Sequence, residues 1–135
     1  MPIFRLIMAF AILVIIGTSV TLNAPIANGL GSAKPTLIED KFDVPTDQRV
    51  VTQEWVSRGF TPPTVTVYPR GWARSEHAHP HSLLITPITG RMEFIIADQR
   101  VVIEPGDELF YPARAVMLAR NIHYGDSRVL ISLRR

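Results

Sequence analysis

From residue 64 onward the chain is cut into short β-prone runs, each closed by residues that stop a strand. The runs occupy 64–68, 74–79, 82–88, 91–96, 99–103, 108–111, 115–121 and 127–133. A strand this short leaves its backbone hydrogen bonds and one apolar face unsatisfied on its own. Runs at such spacing therefore have to pair into a small barrel or sandwich. The breaks carry their own chemistry. Ala97 and Asp98 form a tight hairpin between two β-branched runs, Pro105, Gly106 and Asp107 interrupt the chain, and Tyr124, Gly125 and Asp126 make the last turn. Beyond the N-terminus no segment shows helical periodicity, so the expected class is all-β.

The N-terminus is different in kind. Arg5 supplies a positive charge, and residues 6–16 are an unbroken apolar run of eleven. That matches the apolar region of an export signal and falls short of the roughly 20 residues that span a bilayer. Residues 17–22 are only weakly polar and could lengthen the run into an uncleaved anchor. Cleavage after Ala24 or Ala27 would leave a mature chain outside the cytoplasm, periplasmic or secreted. The expected organisation is a signal peptide or membrane anchor at 1–27, a flexible spacer and N-terminal arm at 28–47, and one β-barrel domain at 48–135. The membrane is then met only through the N-terminal segment.

Cysteine is absent from all 135 residues, which excludes a disulfide framework, a thiolate metal site and a cysteine nucleophile. The formal charge is only +2, and the basic residues are scattered. Without a cluster the chain cannot release the counterions on which nucleic-acid binding depends, so nucleic acid is not an expected partner. No phosphate loop, dinucleotide fingerprint or nucleophile with its base is present. Glu93, Glu104, Asp107 and Glu108 fall at strand ends and turns, where solvated charge is expected.

Two stretches carry the chemistry. The first runs Gly71, His77, His79, Leu83, Gly90, and the second Gly106, Pro112, Arg114, Met117, Asn121. Their spacing resembles the paired motifs of the cupin superfamily, G(X)5HXH(X)3,4E(X)6G and G(X)5PXG(X)2H(X)3N. Leu83 stands where the family has Glu, Arg114 where it has Gly, and Met117 where it has His. The likeness is to small bacterial single-domain cupins of the type-2 group, and it extends upstream to Glu54, Trp55, Arg58, Gly59 and Phe60. It implies a jelly-roll barrel whose mouth holds the site. Trp55 and Phe60 are expected to cover one end of that barrel.

On a strand, side chains two apart share a face, so His77 and His79 would point together into the barrel. Two imidazoles can present nitrogens at about 2.0–2.2 Å from a divalent ion, but two ligands seldom hold it tightly. The resemblance implies Glu and a later His as the other ligands to Fe, Mn, Ni, Cu or Zn. Both are replaced, so one weakly held divalent transition metal is the expected cofactor. His81 continues the parity and is a candidate third ligand, although Pro80 can put it in a turn. Met117 offers a thioether suited to Cu(I); alternatively Met117 and Leu83 line an apolar ligand cavity. Arg114 either needs a new turn or brings a guanidinium to a carboxylate ligand at the mouth. Glu76 has the opposite parity to His77 and is expected in solvent or paired with Arg74, while His123 is expected at the surface.

The reading that follows is an exported cupin that binds a small molecule, with an incomplete histidine metal site. A metal-dependent enzyme of the dioxygenase or isomerase type and a non-catalytic dimerisation scaffold stay open beside it. The resemblance also implies a homodimer.

Overall fold

The computed structural model describes residues 33–135, so the expected leader or anchor at 1–27 and the start of the expected spacer lie outside the described residues. Within them the strands are β1 (Thr36–Ile38), β2 (Thr64–Tyr68), β3 (Ala73–His77), β4 (Leu83–Thr89), β5 (Met92–Ile96), β6 (Gln99–Ile103), β7 (Glu108–Tyr111), β8 (Met117–Asn121) and β9 (Ser127–Leu133). Turn chemistry sets their boundaries. Ala97 and Asp98 both adopt positive φ, 48° and 65°, the backbone of a two-residue hairpin whose twist matches the strands it joins. The expected arm at 28–47 contributes β1, which pairs with β7.

Two antiparallel sheets result, one ordered β1-β7-β4-β9-β2 and the other β3-β8-β5-β6. Their inner faces meet in a jelly roll. Leu83, Ile85, Leu109, Tyr111 and Val129 from the first sheet pack on Met92, Phe94, Ile96, Ile103 and Met117 from the second. Alternation places these residues on one face of each strand, and their burial is the main stabilising term of the barrel.

A helix, α1 (Gln48–Ser57), corrects the expectation that no helical segment follows the leader. Asp47 caps it by accepting from the Arg49 backbone N–H at 2.9 Å. Its buried stripe is a single turn, Val51 and Trp55, too short to register as helical periodicity. These two residues join Phe42, Phe60, Leu84 and Leu130 in a second core on the outer face of the five-stranded sheet. Trp55 and Phe60 thus cover a sheet face and not a barrel end. Trp55 is fully buried, and an aromatic of its size removes about 150–250 Å² from water, worth roughly 4–6 kcal/mol before entropy.

Beneath α1 lies Glu108, whose carboxylate accepts the Trp55 indole N–H at 2.9 Å. Arg58 reaches the same carboxylate at 2.8 and 3.0 Å and Lys41 at 2.9 Å. On the outer face of the other sheet Glu93 is held by Arg100 and Arg120, each at 2.6 Å. Asp107 accepts the backbone N–H groups of Asp40 and Glu104, both at 3.1 Å. Glu93, Asp107 and Glu108 are all buried, which corrects the expectation of solvated charge. Each is tolerated there because it is hydrogen-bonded.

Candidate functional site

Consecutive strands β2 and β3 are the terminal strands of their respective sheets. The turn between them closes with the Trp72 N–H donating to the Pro69 carbonyl. Asn121 ties this corner down. Its side-chain amide donates to the carbonyls of Tyr68, Pro69 and Gly125 at 2.9–3.0 Å, and its Oδ1 accepts from the His123 N–H and the Ser127 hydroxyl. The motif Asn is therefore a clamp between β2, β8 and β9. His123 is only partly exposed, its ring tilted against that of Tyr124 at a centroid separation of 4.1 Å.

Along β3 the register with β8 runs Ala73 to Arg120, Arg74 to Ala119, then His77 to Met117. Three steps on β3 thus match two on β8, which is a bulge. The extra residue resets the parity. Ala119 and Met117 both belong to the inner core, so Arg74 and His77 share the inner side of β3. This corrects the pairing of Arg74 with the solvent side of Glu76, which is itself exposed.

His77 and His79 stand at one end of the barrel, half-buried, with ring centroids 4.9 Å apart and planes nearly perpendicular. His77 Nδ1 lies 2.8 Å from the Ser75 carbonyl, which can only accept, so in the neutral ring Nδ1 carries the proton and Nε2 is left with its lone pair. His79 lies beyond the end of β3 and is held by its backbone. Its N–H donates to the Tyr111 hydroxyl at 2.9 Å, and its carbonyl accepts from the Arg114 N–H at 2.8 Å. Tyr111 is fully buried, and its hydroxyl in turn donates a hydrogen bond to the Ala115 carbonyl at 2.5 Å. Sequence reasoning did not pick out Tyr111; an aromatic in an apolar run carries no signal of such a role. The His79 imidazole holds a proton less readily than an ordinary histidine, first because it is partly buried and then because His77 and Arg74 repel a second positive charge.

The two replaced ligands flank the same end. Leu83 is directly opposite Tyr111 and Leu133, and Met117 opposite His77 and Ile96. Both are buried in the inner core, at 8% and 3% exposure. His81 is exposed in the bend before β4 and is not gathered with the other two histidines. Among the described residues no group of three His, Cys, Asp or Glu side chains could hold a metal ion. The donors present, two imidazoles and a buried thioether, do not fit the complete ligand set of a hard divalent ion. Arg114 is exposed and keeps the tight turn at φ +67°, a left-handed backbone that a side chain adopts at a cost. The turn is therefore the one glycine would make, and no new geometry is needed.

A family model described as Cupin domain matches residues 63–132. Among solved structures, an RmlC-like cupin family protein of Methanocaldococcus jannaschii with a double-stranded β-helix fold is 21% identical, with a TM-score of 0.50 over 56% of this chain and 71% of that one. A predicted oxalate decarboxylase of Thermotoga maritima is 18% identical, with a TM-score of 0.49 over 60% and 71%. The DMSP lyase DddQ of Ruegeria pomeroyi is 24% identical, with a TM-score of 0.48 over 53% of this chain and 36% of that one. At these identities the likeness is one of fold. No curated protein matches the sequence.

Proposed function

This chain belongs to the cupin family, and from that premise we propose that it is an exported small-molecule-binding cupin whose metal centre has been reduced to a weak imidazole pair. The observation that carries the reading is the fate of four positions at one end of the barrel. His77 and His79 remain there as donors, while Leu83 and Met117, buried beside them, close the other two positions with apolar groups. A site with two nitrogen donors and an apolar floor favours a bound organic molecule over a tightly held cation. Export is supported by the charged start and the apolar run at 6–16. Mass spectrometry of the native protein tests it, since a chain beginning at Pro25 or Asn28 is expected and an intact Met1 in the soluble cytoplasmic fraction would refute it.

The test of the site is calorimetric titration with Mn, Fe(II), Ni, Cu and Zn, using protein without a histidine tag. Wild type should bind weakly, and either His77→Ala or His79→Ala should remove most of what is bound. Leu83→Glu combined with Met117→His should raise affinity by orders of magnitude, because it returns two ligands to a preformed pair. Tight binding that survives both histidine substitutions would overturn the reading.

A further inference from the structure

We propose that the outer face of the four-stranded sheet binds a phosphate group, held between the Arg100 and Arg120 guanidiniums that Glu93 fixes side by side. The site lies on the side of the sheet turned away from the inner core that Met117 and His77 share, and it goes beyond the reading of the barrel mouth. Strand register builds it. Glu93 stands between Arg120 on one neighbouring strand and Val102 on the other, and Ile95, two residues on, stands between Leu118 and Arg100. Residues two apart on a strand share a face, so these side chains form one patch with the two arginines at opposite corners. Arg100 reaches diagonally back, and both guanidiniums meet on one carboxylate, each donating through Nε at 2.6 Å. The glutamate side chain is 5% exposed, the arginines 65% and 59%. The hydrogen bond from Arg120 first, and with it that from Arg100, holds Glu93 below the usual carboxylate range against its burial, so it is ionised at neutral pH.

An arginine with a carboxylate to itself commonly gives it two parallel N–H groups. Sharing one carboxylate engages only Nε here, and the Nη groups of both arginines make no hydrogen bond among the described residues. The charge is also unbalanced. Under α1 the corresponding network sets two cations, Lys41 and Arg58, against two carboxylates, Glu54 and Glu108. On this face two cations share one carboxylate, and among the described residues no second one pairs with either arginine. The missing member is an anion that can take N–H groups from two guanidiniums at once. A planar carboxylate matches a single fork, whereas a phosphate group carries about −1.5 to −2 charges and three acceptor oxygens that do not lie in one plane. α1 packs on the other sheet, so no described helix covers this face. Ile95, Val102 and Leu118, each half-buried, offer an apolar surface to the organic part of a phosphate ester.

Phenyl phosphate is the probe, titrated into isotopically labelled full-length protein while the Nε–H resonances of Arg100 and Arg120 are followed. Both should shift saturably, and sodium chloride over the same range of ionic strength should not move them. Arg100→Gln and Arg120→Gln should each weaken binding about tenfold, as expected for loss of charge-assisted bonds, and Arg120→Lys should restore part of it by keeping the charge. Arg49→Gln removes an exposed arginine from α1 and should bind as wild type does, which separates the site from net charge. Each glutamine variant leaves Glu93 its other arginine, so its amide spectrum away from the patch should match wild type and separate lost binding from lost fold. Sedimentation with phosphatidylglycerol vesicles identifies the source of the phosphate. A fall in both glutamine variants assigns it to a lipid headgroup, and unchanged sedimentation assigns it to a soluble ester. No saturable shift, shifts reproduced by sodium chloride, or phenyl phosphate affinity unchanged in either glutamine variant would each overturn the site. None of these outcomes alters the metal titration of His77→Ala or His79→Ala, by which the reading of the mouth stands or falls.

Discussion

Glu108→Leu should destabilise the protein more than Glu108→Gln, although leucine is the more apolar residue and the position is only 1% exposed. Glutamine keeps an acceptor for the Trp55 indole N–H and gives up the ion pairs with Lys41 and Arg58. Both cations retain Glu54 as a second partner, and Arg58 is 36% exposed, so much of its attraction is already screened by water. The expected cost is about 1–2 kcal/mol. Leucine also strands the indole N–H, which is buried with no other acceptor. One buried unsatisfied donor adds about 1–3 kcal/mol, bringing the total to roughly 2–5 kcal/mol. Urea unfolding at pH 7 reads both values as shifts in midpoint at unchanged slope. A leucine variant as stable as the glutamine one would refute the reasoning, since it would show the network to be replaceable by apolar packing. The pH dependence supplies a second reading. Burial pushes the Glu108 carboxyl up, but hydrogen bonds from Lys41, Trp55 and Arg58 together outweigh it and hold the group below its usual range. Its contribution is thus present above the unfolded value of about 4.3 and is lost as pH falls through the lower folded value. The gap between wild type and Glu108→Gln should close on acidification.

Gly90→Ala should cost about 3 kcal/mol or more in thermal or urea unfolding, because φ is +88° and the new Cβ would lie 2.7 Å from the Ser127 Cα. A Ser127→Ala background should recover only part of that loss, since the backbone clash remains. Arg114→Gly should raise the melting temperature, with a gain of about 0.5–1 kcal/mol once the greater freedom of an unfolded glycine is set against the relieved φ of +67°.

The strands were legible because their punctuation is local. Turn residues and β-branched runs define 64–68, 99–103, 108–111 and 127–133 with the same bounds in sequence and structure. The spacing of the two motifs also survives, since it places Leu83 and Met117 at the same end of the barrel as the histidines. What stayed hidden depends on contacts between distant segments. The helix was missed because its buried stripe is only Val51 and Trp55, while Val50 and Val56 are exposed and blur the period. Glu108 looked solvated because nothing in its own strand announces that α1 will cover it. The side to which Arg74 turns was lost to the bulge between Arg74 and His77, a shift of register that leaves no mark in composition.

The position of β9 bears on how the chain is made. It is synthesised after both β2 and β4, yet it sits between them inside the five-stranded sheet, paired on one side with β4 and on the other with β2. Until residue 133 has emerged, a nascent chain carries two unsatisfied strand edges whose side chains include Leu84, Ile85, Val65 and Val67. Such edges pair readily with other chains. A product released before residue 127 would lack the strand that joins β2 to β4, so it should bind chaperones or aggregate, and not form a slightly shortened barrel.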